Sequence, residues 1–223
     1  MKFGIIKERK NPPDRRVVFT PEELVRLQSE HPEAEIKVES SDIRIFSDDQ
    51  YRNLGLNVTA EMSDCDVLFG VKEVPVDALI PNKKYFFFSH TIKKQPYNRK
   101  LLKAILDKNI ELYDHETIVD ATNHRLIGFG RYAGLVGAYN GFRGFGIKYD
   151  LFTLPKAETL SGKEDLIARL KRQTLPNIKI VLTGHGKVGM GAKEILDGIK
   201  IKQVSIDDFL NKNYSEPVYT QID

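Results

Sequence analysis

Residues 177–192 read NIKIVLTGHGKVGMGA. Ile178–Leu182 is a short aliphatic run, and Gly184-x-Gly186-x-x-Gly189 follows at once. KEILDGIK comes next, with helical spacing. Strand, glycine turn and helix in that order are the pattern of a dinucleotide-binding unit. Each glycine has its own task. Gly184 permits the tight turn, Gly186 lets backbone approach a pyrophosphate, and Gly189 lets the helix pack close to the strand. The phosphates then rest on unpaired N–H groups at the helix N-terminus. A second strand is predicted in KIKQVSID, ending at Asp207, about twenty residues beyond the turn, where an acid accepts hydrogen bonds from the adenine ribose. A carboxylate there repels a 2′-phosphate, so NAD is expected rather than NADP. His185, inside the turn, is expected at the surface without a catalytic task. The competing reading is a βαβ unit whose glycines serve only tight turning.

The rest of the chain alternates short strand patterns with helical ones, which predicts an α/β fold with a Rossmann-like, mainly parallel sheet. KFGIIK opens it as a strand. TPEELVRLQSE begins a helix with Thr20 as N-cap, Pro21 in the first turn and Glu23 closing a capping box. EIKVES is a second strand, and SDDQYRNLG a short helix ending at Gly55. CDVLFGV and KYFFFSH are almost continuous apolar runs, as expected of strands covered on both faces. YNRKLLKAILDKNI is amphipathic, with Leu101, Leu102, Ile105 and Leu106 on one face, and ELYD follows as a strand. In GFGRYAGLVGAYNGFRGFG, the small residues Gly130, Gly134, Gly137, Ala138 and Gly141 give a helix one flat side. It is read as buried against a neighbouring helix or joining two lobes. LSGKEDLIARLKRQTL is a further helix.

Three segments are therefore expected: an N-terminal substrate and catalytic domain over 1–130, connecting helices over 131–176, and the first βαβ of an NAD-binding domain over 177–223. A complete doubly wound nucleotide domain needs two βαβαβ halves, so the chain is expected to be a piece of a longer enzyme. An unfinished parallel sheet leaves an open strand edge, and self-association into a homo-oligomer is expected from it.

With 41% hydrophobic and 29% charged residues among 223, the composition is that of a globular protein. The net charge of +3 is too mild to indicate nucleic acid or a membrane surface as partner. The single cysteine, Cys65, forms no internal disulfide, which suits a reducing, cytoplasmic setting. No secretory signal pattern or long apolar span is present. No His, Cys, Asp and Glu spacing indicates a metal site.

Ligands of open parallel sheets bind beyond the carboxyl ends of the strands, so the polar residues there are the candidates. Arg16 precedes the first helix, where a guanidinium clamps a carboxylate bidentately or simply adds to a basic surface loop. Lys72 follows a buried-looking strand, where desolvation lowers a lysine toward proton transfer. A plain salt bridge with Glu73 is the other reading. His90 ends the Phe-rich strand, either as a proton-passing imidazole or as a satisfied core histidine. His31, His115 and His124 lie in stretches that read as exposed and receive no task.

KERKNPPDRRVVFTP, GVKEVP, FFFSHTIKKQ, ELYDHE, FGRYAGLVGA and GHGKVGMGA run in order through most of the chain. Together they resemble the alanine dehydrogenase/transhydrogenase N-terminal superfamily, and within it the lysine-forming saccharopine dehydrogenases. Lys93 and Gln95 after His90 match the saccharopine branch, whereas alanine dehydrogenases carry the histidine without that lysine. The resemblance implies NAD-dependent oxidative deamination of a secondary amine, with an amino acid or 2-oxo acid as the small-molecule partner. It implies Lys72 and His90 as the acid–base pair and Arg16 and Lys93 as substrate-carboxylate contacts. It further implies Glu73 and Glu116 as modulators of that pair, and Gly184, Gly186, Gly189 and Asp207 as the NAD contacts. The branch continues after its glutamine with small residues and a tryptophan. Here Pro96-Tyr97-Asn98 follows, and the protein has no tryptophan. The competing functions are deamination of alanine to pyruvate, and a short binding module without catalysis.

Overall fold

In the computed structural model, which describes residues 1–223, the chain begins with β1 (Lys2–Ile5), α1 (Pro21–Glu30), β2 (Glu35–Glu39), α2 (Asp48–Arg52) and β3 (Asn57–Thr59). It continues through β4 (Val67–Phe69), β5 (Lys84–Phe87), α3 (Arg99–Asp107) and β6 (Glu111–Asp114). Then follow α4 (Gly130–Lys148), α5 (Lys163–Lys171), β7 (Lys179–Thr183), α6 (Lys187–Gly198), β8 (Lys202–Gln203), α7 (Ile206–Asn211) and β9 (Val218–Ile222). The chain divides into two units, Met1–Gly128 and Phe129–Asp223.

The first unit is built on a six-stranded, wholly parallel sheet in the order β3-β2-β1-β4-β5-β6. That order reverses direction between β1 and β4, and ligands of doubly wound folds bind in the crevice beyond the strand ends at such a point. The local chemistry matches the elements. Thr20 accepts from the Glu23 N–H while the Glu23 carboxylate accepts from the Thr20 N–H, so both orphan donors at the start of α1 are met. Ser47 and Gln50 repeat the device on α2, and Gly55 takes a left-handed φ of 81° where the chain turns after it.

One side of the sheet packs Leu68, Tyr85 and Phe87 with Leu101 and Ile105 of α3, and a second cluster joins Ile5, Ile36 and Val38 to Leu24 and Tyr51. Phe3, Phe69, Phe86 and Tyr113 form a ladder across four strands, with successive ring centroids 6.3, 4.7 and 4.5 Å apart. The buried face of α3 is Leu101, Ala104 and Ile105; Leu102 and Leu106 are exposed, against the sequence expectation. The helix is seated by its i, i+3, i+4 row, so the adjacent residues 102 and 106 turn outward. β3 was not foreseen, because three residues carry no measurable periodicity.

In the second unit β9 pairs in parallel with both β7 and β8, giving the order β7-β9-β8. The core joins Leu135, Tyr139 and Phe142 of α4 to Leu166 and Leu170 of α5 and Ile195 and Leu196 of α6. α4 packs against α6 at backbone distance: a Cβ on Gly134 would lie 2.0 Å from the Val188 oxygen, and one on Gly191 2.0 Å from the Arg131 oxygen. The small-residue side of α4 is therefore a helix–helix contact only in part, since Gly137 and Gly141 face open space. No helix is long and apolar enough to cross a membrane.

Candidate active site and dinucleotide turn

Glu8, just beyond β1, is the first residue to fix the crevice. Its buried carboxylate accepts the backbone N–H groups of Val71 at 2.7 Å and Lys72 at 2.9 Å. The end of β4 is thereby tied across the switch point to the end of β1, and burial pushes the Glu8 carboxyl above its ordinary range. Lys72 and Glu73 project from the backbone held in this way. Burial, followed by the positive charges of Arg16 and Lys10, lowers the Lys72 ammonium below its ordinary value.

Glu73 stands between Lys10 Nζ at 3.1 Å and His90 Nδ1 at 3.2 Å. His90 follows β5 in a left-handed conformation, φ 56°, which a non-glycine residue seldom adopts. Its carbonyl accepts from Asn98 Nδ2 at 3.2 Å. Its Nδ1 also lies 3.3 Å from the Phe88 oxygen. Both neighbours of Nδ1 are acceptors, so Nδ1 carries a proton and Nε2 is the nitrogen left to exchange one. Arg16 is oriented by Asp14, whose Oδ1 accepts from its Nε at 2.9 Å; the guanidinium holds the Asp14 carboxyl below its ordinary range. Arg16, Lys72, Glu73 and His90 thus share one charged cluster.

Lys93 and Glu116 form a second group. Lys93 Nζ and Arg125 Nη1 stand 3.2 and 3.6 Å from Glu116 Oε1, while the buried Oε2 has no protein partner. Arg125 also lies over the Phe88 ring, 5.9 Å from its centroid. The strand ends beneath are joined by buried Asp114, which accepts from Ser89 N at 3.3 Å, from the Ser89 hydroxyl, and from Glu116 N at 2.9 Å. His115 was expected to be exposed and is buried, with Nε2 3.1 Å from the Gly70 oxygen and Nδ1 without a partner. It lies past the end of β6, whose backbone continues alongside β5, and burial lowers its pKa. Sequence reasoning missed Glu8, Lys10, Asp14, Asp114 and Arg125. Their signal is a charge placed at a strand end or in the first loop, which local pattern does not separate from surface charge.

In the second unit the glycine turn has the form that a pyrophosphate needs. Gly184 adopts φ 81°, and a Cβ on Gly189 would stand 2.2 Å from the Gly184 oxygen. A Cβ on Gly186 would meet nothing within 4 Å. Gly186 caps α6 without any side-chain hydrogen bond, leaving the first turn of N–H groups for an anion. These residues fit a dinucleotide. Asp207 does not stand where it was expected: β8 ends at Gln203, and Asp207 lies in the first turn of α7 with Oδ1 accepting from Asn211 Nδ2 at 2.8 Å. Ser205 accepts from Asp208 N and starts the helix there, so the strand cannot continue. No group of three or more His, Cys, Asp or Glu is placed to hold a metal ion.

Comparison with known proteins agrees with this geometry. The chain is 31% identical over 214 residues to alpha-aminoadipic semialdehyde synthase of Arabidopsis thaliana, covering 86% of this chain and 20% of that protein. It is 27% identical over 192 residues to saccharopine dehydrogenase [NAD(+), L-lysine-forming] of Yarrowia lipolytica, covering 77% of this chain and 51% of the relative. It therefore spans between about a fifth and about half of these relatives. A solved L-alanine dehydrogenase shares the fold with a TM-score of 0.64 at 18% identity, over 98% of this chain and 60% of that one. The transhydrogenase of Sinorhizobium meliloti does so with 0.61 at 17%, over 89% and 56%. The profile of the alanine dehydrogenase/PNT N-terminal domain matches residues 4–136, from β1 into α4. With the six-stranded sheet and the strand-end cluster inside that span, the chain belongs to this family, whose members here are amino-acid dehydrogenases and a transhydrogenase.

Proposed function

We propose that the protein carries out, or forms part of an enzyme that carries out, NAD-dependent oxidative deamination of a secondary amine, converting saccharopine to lysine and 2-oxoglutarate. The observation that carries the reading is the cluster at the β1–β4 switch point: a lysine lowered by burial, a histidine with one nitrogen free to exchange a proton, and an arginine oriented by a carboxylate. When bound, NAD supplies the acceptor for the hydride that leaves the carbon bearing nitrogen.

Lys72, its ammonium lowered by burial, takes the proton lost by the amine nitrogen as that carbon is oxidised to an imine. Water then adds to the imine carbon. His90 Nε2 accepts a proton from the water and passes it to the nitrogen, and then carries the carbinol hydroxyl proton to the same nitrogen as the C–N bond breaks and the C=O bond forms, giving an amine and a 2-oxo acid. Arg16 pairs with a substrate carboxylate bidentately, and Lys93 offers a second cation. Glu73 adjusts the charge at His90, and Glu116 that at Lys93. Gly184, Gly186 and Gly189 form the cradle for the dinucleotide. The unpaired thiol of Cys65 supports a reducing, cytoplasmic location.

Lys93 favours saccharopine over alanine, because a dicarboxylic, amine-linked substrate presents more anionic groups than alanine does. The test is NADH consumption by the purified protein with lysine plus 2-oxoglutarate, and separately with pyruvate plus ammonia. The first pair is expected to react. Reaction with the second pair alone would replace the substrate assignment, and reaction with neither would contradict the dehydrogenase reading.

A further inference from the structure

The peptide that joins Gly70 to Val71 leads straight into Lys72, and side chains hold it at both ends. Its N–H donates to Glu8 Oε1 at 2.7 Å, and its oxygen lies 3.1 Å from His115 Nε2. The C=O and N–H of a trans peptide point in opposite directions, so the carboxylate and the imidazole grip it from opposite sides. The sheet does not supply the second grip. Phe69 pairs with Phe86, and Gly70 N donates to the Phe86 oxygen at 2.8 Å. An even parallel ladder would next bring Phe88 N to the Gly70 oxygen. Phe88 N donates instead to the Val71 oxygen, at 3.1 Å, and the Gly70 oxygen is taken by His115.

His115 is itself well fixed. Its backbone N–H donates to the Phe87 oxygen at 3.1 Å, and its ring centroid lies 5.1 Å from that of Phe88. The residue is only 6% exposed. A carbonyl oxygen can only accept, so Nε2 carries the proton and Nδ1 is bare and without a partner. The one polar contact of this buried ring is therefore the Gly70 oxygen.

We infer that His115 is a positioning residue for Lys72: its Nε2–H holds the Gly70 oxygen while Glu8 holds the N–H groups of Val71 and Lys72, and together they set where the lysine side chain enters the crevice. This rests on reading Lys72 as the proton acceptor of the amine. With its backbone gripped, Lys72 stays where Arg16 and Lys10 oppose its charge and where Glu73 and Asp14 favour it only in part. Released, it moves toward water and regains the basicity of an ordinary lysine.

The test is acetylation of Lys72 as a function of pH, read by peptide mass spectrometry in the wild type, His115→Gln, His115→Asn and His115→Leu, with thermal melts and turnover of each. Glutamine carries an amide nitrogen as many bonds from the backbone as Nε2, asparagine one bond fewer, and leucine none. His115→Gln is expected to match the wild type. In His115→Asn and His115→Leu the midpoint of Lys72 labelling is expected to rise toward the ordinary 10.5, with Lys93 in the same samples unchanged. Turnover should fall about tenfold or more in these two with NADH affinity intact, because misplacing a reacting group by about 1 Å costs up to about a hundredfold. Labelling needs no turnover, so it decides the inference even where the proposed reaction fails. A wild-type midpoint in both loss variants, or one displaced as far in His115→Gln, would overturn the inference alone. A displaced midpoint with full turnover would instead overturn the part given to Lys72 in the reaction.

Discussion

Glu8 and His115 are buried within the first unit, and burial shifts each toward its neutral form. For His115 the folded pKa lies below the ordinary 6.5, so the unfolded chain binds its proton first. This group leaves stability unchanged above that value and lowers it as the pH falls through it. Glu8 acts with the opposite sign. Its folded pKa is raised, so it favours the fold below the ordinary 4.5, a contribution lost as the pH rises through the folded value. Urea unfolding at about pH 7.5 and about pH 5.5 should show a smaller acid loss in His115→Gln than in the wild type. An equal loss in both would mean that the imidazole is not held neutral. The burial of His115 could not be read from ELYDHE, because a polar residue past a strand end looks the same whether or not the next strand extends alongside it.

At the scale of elements, the contact between α4 and α6 gives a contrast within one helix. A methyl on Gly134 collides with the backbone of α6, while one on Gly137 enters open space. Gly134→Ala is therefore expected to destabilise the protein by at least about 2 kcal/mol through overpacking. Gly137→Ala should stabilise it by about 0.5–1 kcal/mol, because alanine is the better helix former. Equal effects in thermal or urea unfolding would show that the two helices do not meet as described. Local signals were well expressed in the sequence: the capping box of Thr20, the left-handed Gly55, and the apolar runs of β4, β5 and β7. Sheet order was not. Nothing local in PVYTQID announces that β9 will separate β7 from β8, since strand neighbours are chosen by packing across the whole sheet. That is also why Asp207 was expected at the end of a strand beside the turn, whereas it lies in α7.

For the whole molecule, the six parallel strands and the family profile make the first unit recognisable, and the glycine turn identifies the second. The residues Arg16, Lys72, Glu73 and His90 could be named from the sequence because each stands at a strand end or just before a helix. What joins them could not. Glu8 reaches from the end of β1 to the backbone of Val71 and Lys72, and Asp114 ties the ends of β5 and β6. Such contacts cross dozens of residues and exist only once the sheet has formed.

In the proposed reaction Lys72 and His90 move the protons of an amine oxidation. The measurement that tests it most directly is steady-state turnover of saccharopine and NAD by the wild type, Lys72→Met and His90→Gln, alongside NADH binding to each. We predict turnover at least about a hundredfold lower in each variant, the usual effect of losing a general acid or base, with NADH affinity nearly unchanged. Turnover at the wild-type level in either variant would remove that residue from the mechanism, and in both it would leave the cluster without a part in proton transfer.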